Sequence, residues 1–335
     1  MKTAYLYKPI GQGKVQCRIC SHYCKIDPGK RGICRVRENR GGTLVSLNYD
    51  HVIAANADPV EKKPLFHFKP GSRSFSIAAM GCNLSCRFCQ NADIAQVSDR
   101  EDRIAGSPFS PGDIVAQAIA SGCRSIAYTY TEPSVFFELA LDTARLAKAK
   151  GLYNIFVTNG FMSPELLDMA GDVLDAANVD LKAYSDGFYR KLCNARLEPV
   201  KETLRLMLQK GVMVEVTTLI IPGVNDDPDE LGQMAEFICH ELGPQTPWHL
   251  SRFHPTYRLT DRSATPVHTL ETACRIGEQA GLRYVYTGNV RSARENTTCH
   301  HCGKLLVERR GYAVKNNVTD KGNCPGCGTP VYGIF

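Results

Sequence analysis

Three cysteines, Cys82, Cys86 and Cys89, stand close together in the stretch GCNLSCRFCQN at residues 81–91. Three thiolates presented from one tight loop can wrap a cubane iron–sulfur cluster and ligate three of its four irons, leaving the fourth open. An open coordination position is what separates a catalytic metal site from a structural one. A zinc site completed by a distant ligand is the alternative reading of the same spacing.

Two further groups of cysteines flank this loop. Cys17, Cys20, Cys24 and Cys34 are close enough in the chain to share one metal; zinc and a second iron–sulfur cluster both suit four thiolates. The reading leans to zinc, which would fold a glycine-rich segment that has no core of its own. Near the other end, Cys299-His-His-Cys302-Gly and Cys324-Pro-Gly-Cys327-Gly form two CxxCG knuckles of the zinc-ribbon kind. Four thiolates complete the coordination of zinc, so this site is expected to be structural; His300 and His301 could substitute as ligands, but the cysteines suffice. Cys123, Cys193, Cys239 and Cys274 lie apart from the groups and read as buried apolar residues.

Composition narrows the class. The chain has 335 residues, 15 of them cysteine, and a formal net charge of +6. A secreted disulfide scaffold would be smaller and would begin with a signal peptide; the opening residues MKTAYLYKPIGQGKVQC have no apolar stretch long enough for one. No run of about 18 apolar residues occurs, so a membrane span is not expected and a cytoplasmic location is. The mild positive charge suits an anionic cofactor without implying nucleic acid.

Between residues 75 and 290, short β-branched runs alternate with amphipathic helical stretches. Ser74 to Ala79 reads as a strand that ends at the cysteine loop. Ser110-Pro111 opens a helix, with serine as the N-cap and proline in the first turn. A strand over 124–130, a helix over 134–151, a strand ending at Gly160, a helix from Ser163 and a strand ending near Lys182 continue the pattern. Further strands are predicted over 212–221, 248–253 and 282–288. Such repetition predicts a parallel sheet flanked by helices, with about six units: a partial (β/α)6 barrel with chemistry gathered at the carboxyl ends of its strands. The expected organisation is a Cys-rich N-terminal metal-binding extension over 1–74, including a hairpin over 41–58, then the α/β domain over 75–295 and a zinc-ribbon-like module over 296–335.

The cysteine loop resembles that of the radical SAM superfamily, and Phe88 matches the aromatic residue of the pattern CxxxCxΦC. The resemblance implies an open iron that chelates S-adenosylmethionine, whose reductive cleavage yields a 5′-deoxyadenosyl radical that abstracts hydrogen. It also assigns cofactor contacts at strand ends. Glu132, in Thr131-Glu132-Pro133, stands where the family usually has Gly-Gly-Glu-Pro, so the two glycines are missing here; its carboxylate would accept from the cofactor's ammonium unless it is a solvated turn residue. Thr158 and Asn159 would face the ribose or carboxylate. Asp180 and Lys182 match the DxK pair of glycyl-radical-enzyme activases, although an ordinary ion pair would look the same. His254 and Asn289 close later strands, and His254 is as readily a structural histidine as a proton carrier.

Over its whole length the chain is similar to the radical SAM member of the AmmeMemoRadiSam set, a relative of the pyruvate formate-lyase-activating enzymes. The matching residues are the N-terminal cysteines, Glu61-Lys62-Lys63-Pro64-Leu65, GCNLSCRFCQN, YTYTEP and the DxK pair. That resemblance implies Memo-type and AMMECR-type partners, an electron donor such as flavodoxin or ferredoxin, and hydrogen abstraction from a protein partner or a small molecule. The alternative is an RNA-modifying enzyme, with Lys304, Arg309, Arg310, Lys315 and Lys321 of the C-terminal module gripping phosphates.

Overall fold

The computed structural model describes residues 1–97, 104–290 and 292–335. Its centre is a nine-stranded sheet containing seven parallel strands. These are β1 (Arg73–Ala79), β2 (Ser125–Tyr128), β3 (Tyr153–Thr158), β4 (Ala176–Asp180), β5 (Met213–Ile220), β6 (Trp248–Arg252) and β7 (Val285–Gly288), side by side in chain order. Helices α1 (Pro111–Ala120), α2 (Phe137–Ala149), α3 (Pro164–Ala170), α4 (Leu197–Gln209), α5 (Pro228–Phe237) and α6 (Val267–Gln279) alternate with them. The described residues thus contain six strand–helix units and a closing strand. Every residue of β2 is buried, as a parallel strand covered on both faces requires.

Local chemistry sets the helix starts. Ser110, Ser163 and Asp227 each precede a proline, and each accepts a backbone N–H of the first turn through its side chain. The helix expected over 134–151 starts differently. A 3-10 turn at Pro133–Phe136, capped by the Glu132 side chain on the Ser134 N–H, leads into α2. The last strand is shorter than predicted, because only Val285–Gly288 pairs with β6.

The hairpin expected over 41–58 does not form. Thr43–Ser46 pairs backwards with Arg37–Arg40 across Gly41 and Gly42, whose φ values of 59° and 91° make the turn. His51–Pro59, although it falls within 1–74, pairs antiparallel with β1 and so belongs to the main sheet. The N-terminal segment is pinned to α2 by a buried two-pronged ion pair, in which Arg37 Nη1 and Nη2 reach Glu138 at 2.9 and 2.7 Å.

The C-terminal module, a three-stranded antiparallel sheet over Thr297–Thr298, Leu305–Arg310 and Ala313–Asn316, docks at the other end of the main sheet. There the buried carboxylate of Glu215, near the start of β5, accepts the backbone N–H groups of Phe66 (3.0 Å) and His67 (2.8 Å) and Nε2–H of His249 (2.6 Å). His67 donates from Nδ1 to the Tyr332 carbonyl and accepts the Tyr286 hydroxyl at Nε2. Burial keeps that ring neutral, with its pKa down at about 4. Arg309 is buried in the same junction, over the Phe66 ring and donating to the Phe66 carbonyl, so it is not available to grip phosphates as the RNA reading requires. No helix of the described residues is long and apolar enough to cross a membrane.

Glu215→Ala would strand two buried backbone N–H groups and is expected to cost about 2–6 kcal/mol, at 1–3 kcal/mol for each unsatisfied donor. The urea unfolding midpoint measures this, and an unchanged midpoint would mean that the junction does not depend on Glu215.

Candidate active site

The carboxyl ends of the parallel strands surround a cavity of about 1310 Å³, part of it open solvent. Cys82, Cys86, Phe88 and Cys89 line one side, on the loop that leaves β1. That loop turns through Gly81 at φ 112°, where a Cβ would lie 2.7 Å from Val36 Cγ1. Only glycine allows the chain to reverse here while the N-terminal segment packs this closely. The Leu84 N–H points at Cys82 Sγ (3.4 Å), and Phe88 packs on Phe188 with ring centroids 5.7 Å apart.

Glu132, at the end of β2, is buried, and its carboxylate is well satisfied by the protein. Ser134 N–H reaches Oε1 at 3.1 Å, Asn159 N–H reaches Oε2 at 2.9 Å, and the Thr158 hydroxyl lies 2.9 and 3.1 Å from the two oxygens. Burial raises its pKa, and these donors oppose the rise. Glu132 therefore ties the ends of β2 and β3 together on the cavity wall. Asn159 continues the tie, with Nδ2 at 2.8 Å from Asn83 Oδ1 and 3.7 Å from Cys82 Sγ. The carboxyl end of β3 is thus joined to the cysteine loop by side-chain hydrogen bonds.

Asp180 and Lys182 line the wall beyond β4, 2.7 Å apart. Burial disfavours the charge on Lys182, but Asp180 and the neighbouring Cys86 outweigh it and hold the pKa well above the usual lysine value. The Tyr189 hydroxyl accepts the Lys182 N–H, and Asn225 Nδ2 donates to the Lys182 carbonyl. The backbone of the lysine is therefore fixed from both sides.

Of the residues singled out in the sequence, Cys82, Cys86, Cys89, Phe88, Glu132, Thr158, Asn159, Asp180, Lys182 and Asn289 all line this one cavity. His254 does not. It follows the end of β6 with an exposed side chain and is not part of the lining.

The cavity also recruits residues that sequence reasoning passed over. Thr217 lines it, and its buried hydroxyl has no hydrogen-bond partner in the protein. Lys63 and Tyr130 line it too, both bonded to Asp58, with Lys63 Nζ 4.6 Å from the centre of the Tyr130 ring. Thr217 lies in a strand already recognised, but only the strand's register shows which face it presents. Lys63 belongs to a matched motif that carried no role. Cys193, read as plain core, is buried, and interaction with its side chain is the main cause that lowers the Cys86 thiol pKa.

The other cysteine groups sit apart from the cavity lining. Cys299, Cys302, Cys324 and Cys327 place their sulfurs within 4.8 Å of one another, with two pairs at 3.7 Å. Cys17, Cys20, Cys24 and Cys34 surround a separate, smaller cavity.

Comparison with known proteins agrees with this arrangement. The model of the radical SAM superfamily matches residues 77–238, which run from β1 to the end of α5. An uncharacterized protein of Methanocaldococcus jannaschii is 43% identical over 334 residues, covering 99% of each chain. The pyruvate formate-lyase-activating enzyme of Listeria monocytogenes is 25% identical over 175 residues, which make up 50% of this chain and 70% of that enzyme. Among solved structures, a radical SAM methyltransferase from Sphaerobacter thermophilus shares the fold over 71% of each chain, with a TM-score of 0.53 at 17% identity. The chain is an enzyme of the radical SAM superfamily, homologous to pyruvate formate-lyase-activating enzymes, and this membership implies a [4Fe–4S] cluster and S-adenosylmethionine as its cofactors.

Proposed function

We propose that this enzyme cleaves S-adenosylmethionine reductively at a cluster held by Cys82, Cys86 and Cys89, and abstracts hydrogen from a protein partner or small molecule in the manner of a glycyl-radical-enzyme activase. One observation carries the reading: the three thiolates, Glu132, Asn159, Asp180 and Lys182 converge on a single cavity at the carboxyl ends of the strands. That cavity sits inside what we read as a partial barrel. The unpartnered buried hydroxyl of Thr217 fits a polar ligand, since a buried hydroxyl left without one is costly.

A cluster held by Cys82, Cys86 and Cys89 would supply the one-electron reduction and the open iron that reductive cleavage of S-adenosylmethionine requires. The chain's own residues bind and orient. Lys182, held charged, donates to a carboxylate or hydroxyl of the cofactor. Asn159, fixed by Glu132 and Asn83, presents its amide beside Cys82. Glu132 has most of its acceptor capacity engaged, so its part is to hold Thr158 and Asn159 in place. Phe88, buried against Phe188, gives the cysteine side of the cavity an apolar wall. A flavodoxin or ferredoxin is the proposed electron donor, and Memo-type and AMMECR-type proteins are the proposed partners.

The C-terminal site is proposed to hold zinc. A single zinc bound at about 2.3 Å by four thiolates sets sulfurs about 3.8 Å apart, and the Cys299–Cys327 and Cys302–Cys324 pairs stand at 3.7 Å.

Anaerobically reconstituted and reduced protein is expected to produce 5′-deoxyadenosine, and Cys86→Ala to lose both the central cluster and the product. Lys182→Met should keep the cluster yet need roughly ten- to a hundredfold more S-adenosylmethionine, the consequence of losing a charge-assisted hydrogen bond of about 1.5–3 kcal/mol. Undiminished product from Cys86→Ala would overturn the proposal; unchanged cofactor affinity in Lys182→Met would reduce the lysine to a structural ion pair. For the C-terminal site, metal analysis of the Cys299→Ser/Cys302→Ser variant should show about one zinc fewer per chain and faster proteolysis of the tail. Retained zinc would refute that assignment.

A further inference from the structure

Cys17, Cys20, Cys24 and Cys34 line a small cavity of about 320 Å³, part of it open solvent, together with apolar side chains that include Ile19, Ile26 and Val135. Its dimensions differ in kind from the C-terminal site. Among the described residues, the C-terminal group is the one set of three or more His, Cys, Asp or Glu side chains whose ligand atoms all lie within 4.8 Å of one another. The four N-terminal cysteines do not meet that distance, and neither do Cys82, Cys86 and Cys89. A lone zinc ion draws four sulfurs to about 3.8 Å apart. Thiolates that each bind a separate iron of a cubane stand farther apart, and the four here are not drawn to the spacing of a single ion.

A second observation concerns charge. Arg37 lines the same cavity, and its Nε–H is buried with no acceptor in the protein, although its two Nη atoms are bonded to Glu138. An unsatisfied buried donor on a thiolate-lined wall suits an anionic group whose sulfurs accept hydrogen bonds, and hydrogen bonds to sulfur are one way a protein tunes iron–sulfur clusters.

The cavity also adjoins the central cysteine loop. Asn83, next to Cys82 in the chain, lines it. The Asn83 carbonyl accepts from His22 Nε2 at 2.8 Å, and its Oδ1 accepts from Asn159 Nδ2 at 2.8 Å. The Cys34 carbonyl lies 3.4 Å from where a Cβ of Gly81 would stand. One residue, Asn83, thus faces the N-terminal cavity and bonds to the wall of the active site.

We propose that Cys17, Cys20, Cys24 and Cys34 hold a second [4Fe–4S] cluster with a thiolate on each iron, beside the loop that carries Cys82. The spread of the sulfurs favours this over the zinc to which the spacing alone leans. With no open iron, this cluster offers no site for S-adenosylmethionine. The assignment is independent of the reaction proposed above.

Iron and sulfide analysis with EPR of the reduced, anaerobically reconstituted protein tests it. The full chain should bind about eight irons, four for each cluster. The Cys82→Ala/Cys86→Ala/Cys89→Ala variant should keep about four, with an EPR signal unchanged by S-adenosylmethionine. Cys17→Ala/Cys34→Ala should lose about four irons and keep the cofactor-sensitive signal, which decides the matter if the triple variant fails to fold. A full chain with no more than about four irons and a zinc that Cys17→Ala/Cys34→Ala removes would overturn the proposal, as would unchanged iron content in that double variant. Absence of S-adenosylmethionine cleavage would leave these iron counts unaltered, so the two proposals fail separately.

Discussion

A buried carboxylate must find its donors within the protein, and Glu132 finds them in the turn that follows β2 and at the end of β3. By accepting from Ser134, Thr158 and Asn159, it joins the turn after β2 to the end of β3. Asn159 passes the constraint to Asn83 and the Cys82 loop, so thiolates and polar wall share one rigid frame. Other members of the wall depend on similar ties. Lys182 is fixed through Tyr189 and Asn225, and the cysteine loop is stitched to the segment at Leu192–Cys193 by the N–H groups of Ser85 and Arg87. Preorganisation of this kind places a reactive group without the cost of ordering it on binding.

Chemistry and stability are divided between the two ends of the sheet. At the carboxyl ends, polar residues face a cavity and one buried hydroxyl lacks a partner. At the amino ends, Glu215, His67, His249 and Tyr286 form a buried, hydrogen-bonded junction that fastens the C-terminal segment beneath the strands. The C-terminal cysteines belong to that segment and are not part of the cavity lining. The N-terminal cysteines differ. Their segment packs directly on the active-site loop, where Gly81 admits Val36, and on the stretch following β3, where the Ser21 hydroxyl donates to the Met162 carbonyl.

Much of the architecture is legible in the chain because parallel βα units write a repeating signal. Ser-Pro and Asp-Pro helix starts punctuate β-branched runs, and a turn-bound cysteine triple marks the end of the first strand. The hairpin over 41–58 was misplaced because β-branched residues show strand propensity without naming a partner. Gly41 and Gly42 gave the turn to the preceding strand and left His51–Pro59 for the main sheet. His254 was singled out for ending a strand, yet its side chain turns outward, since a position at a strand's end does not by itself decide the face.

The sequence by itself determined the ligand types, their grouping into three cysteine clusters, the βα order and the family, because each is a matter of residue identity and spacing along one chain. Only the tertiary structure decided which atoms meet. It turned Glu132 inward to Thr158 and Asn159, set the Cys193 thiol against Cys86, and buried Arg309 under the sheet instead of on a basic surface. It also distinguished two four-cysteine groups that resemble each other on paper, bringing the sulfurs of one within 4.8 Å of one another and holding those of the other farther apart. The reason is that spacing in a loop limits how near two sulfurs can come, whereas the packing of the surrounding strands and side chains sets how near they stand.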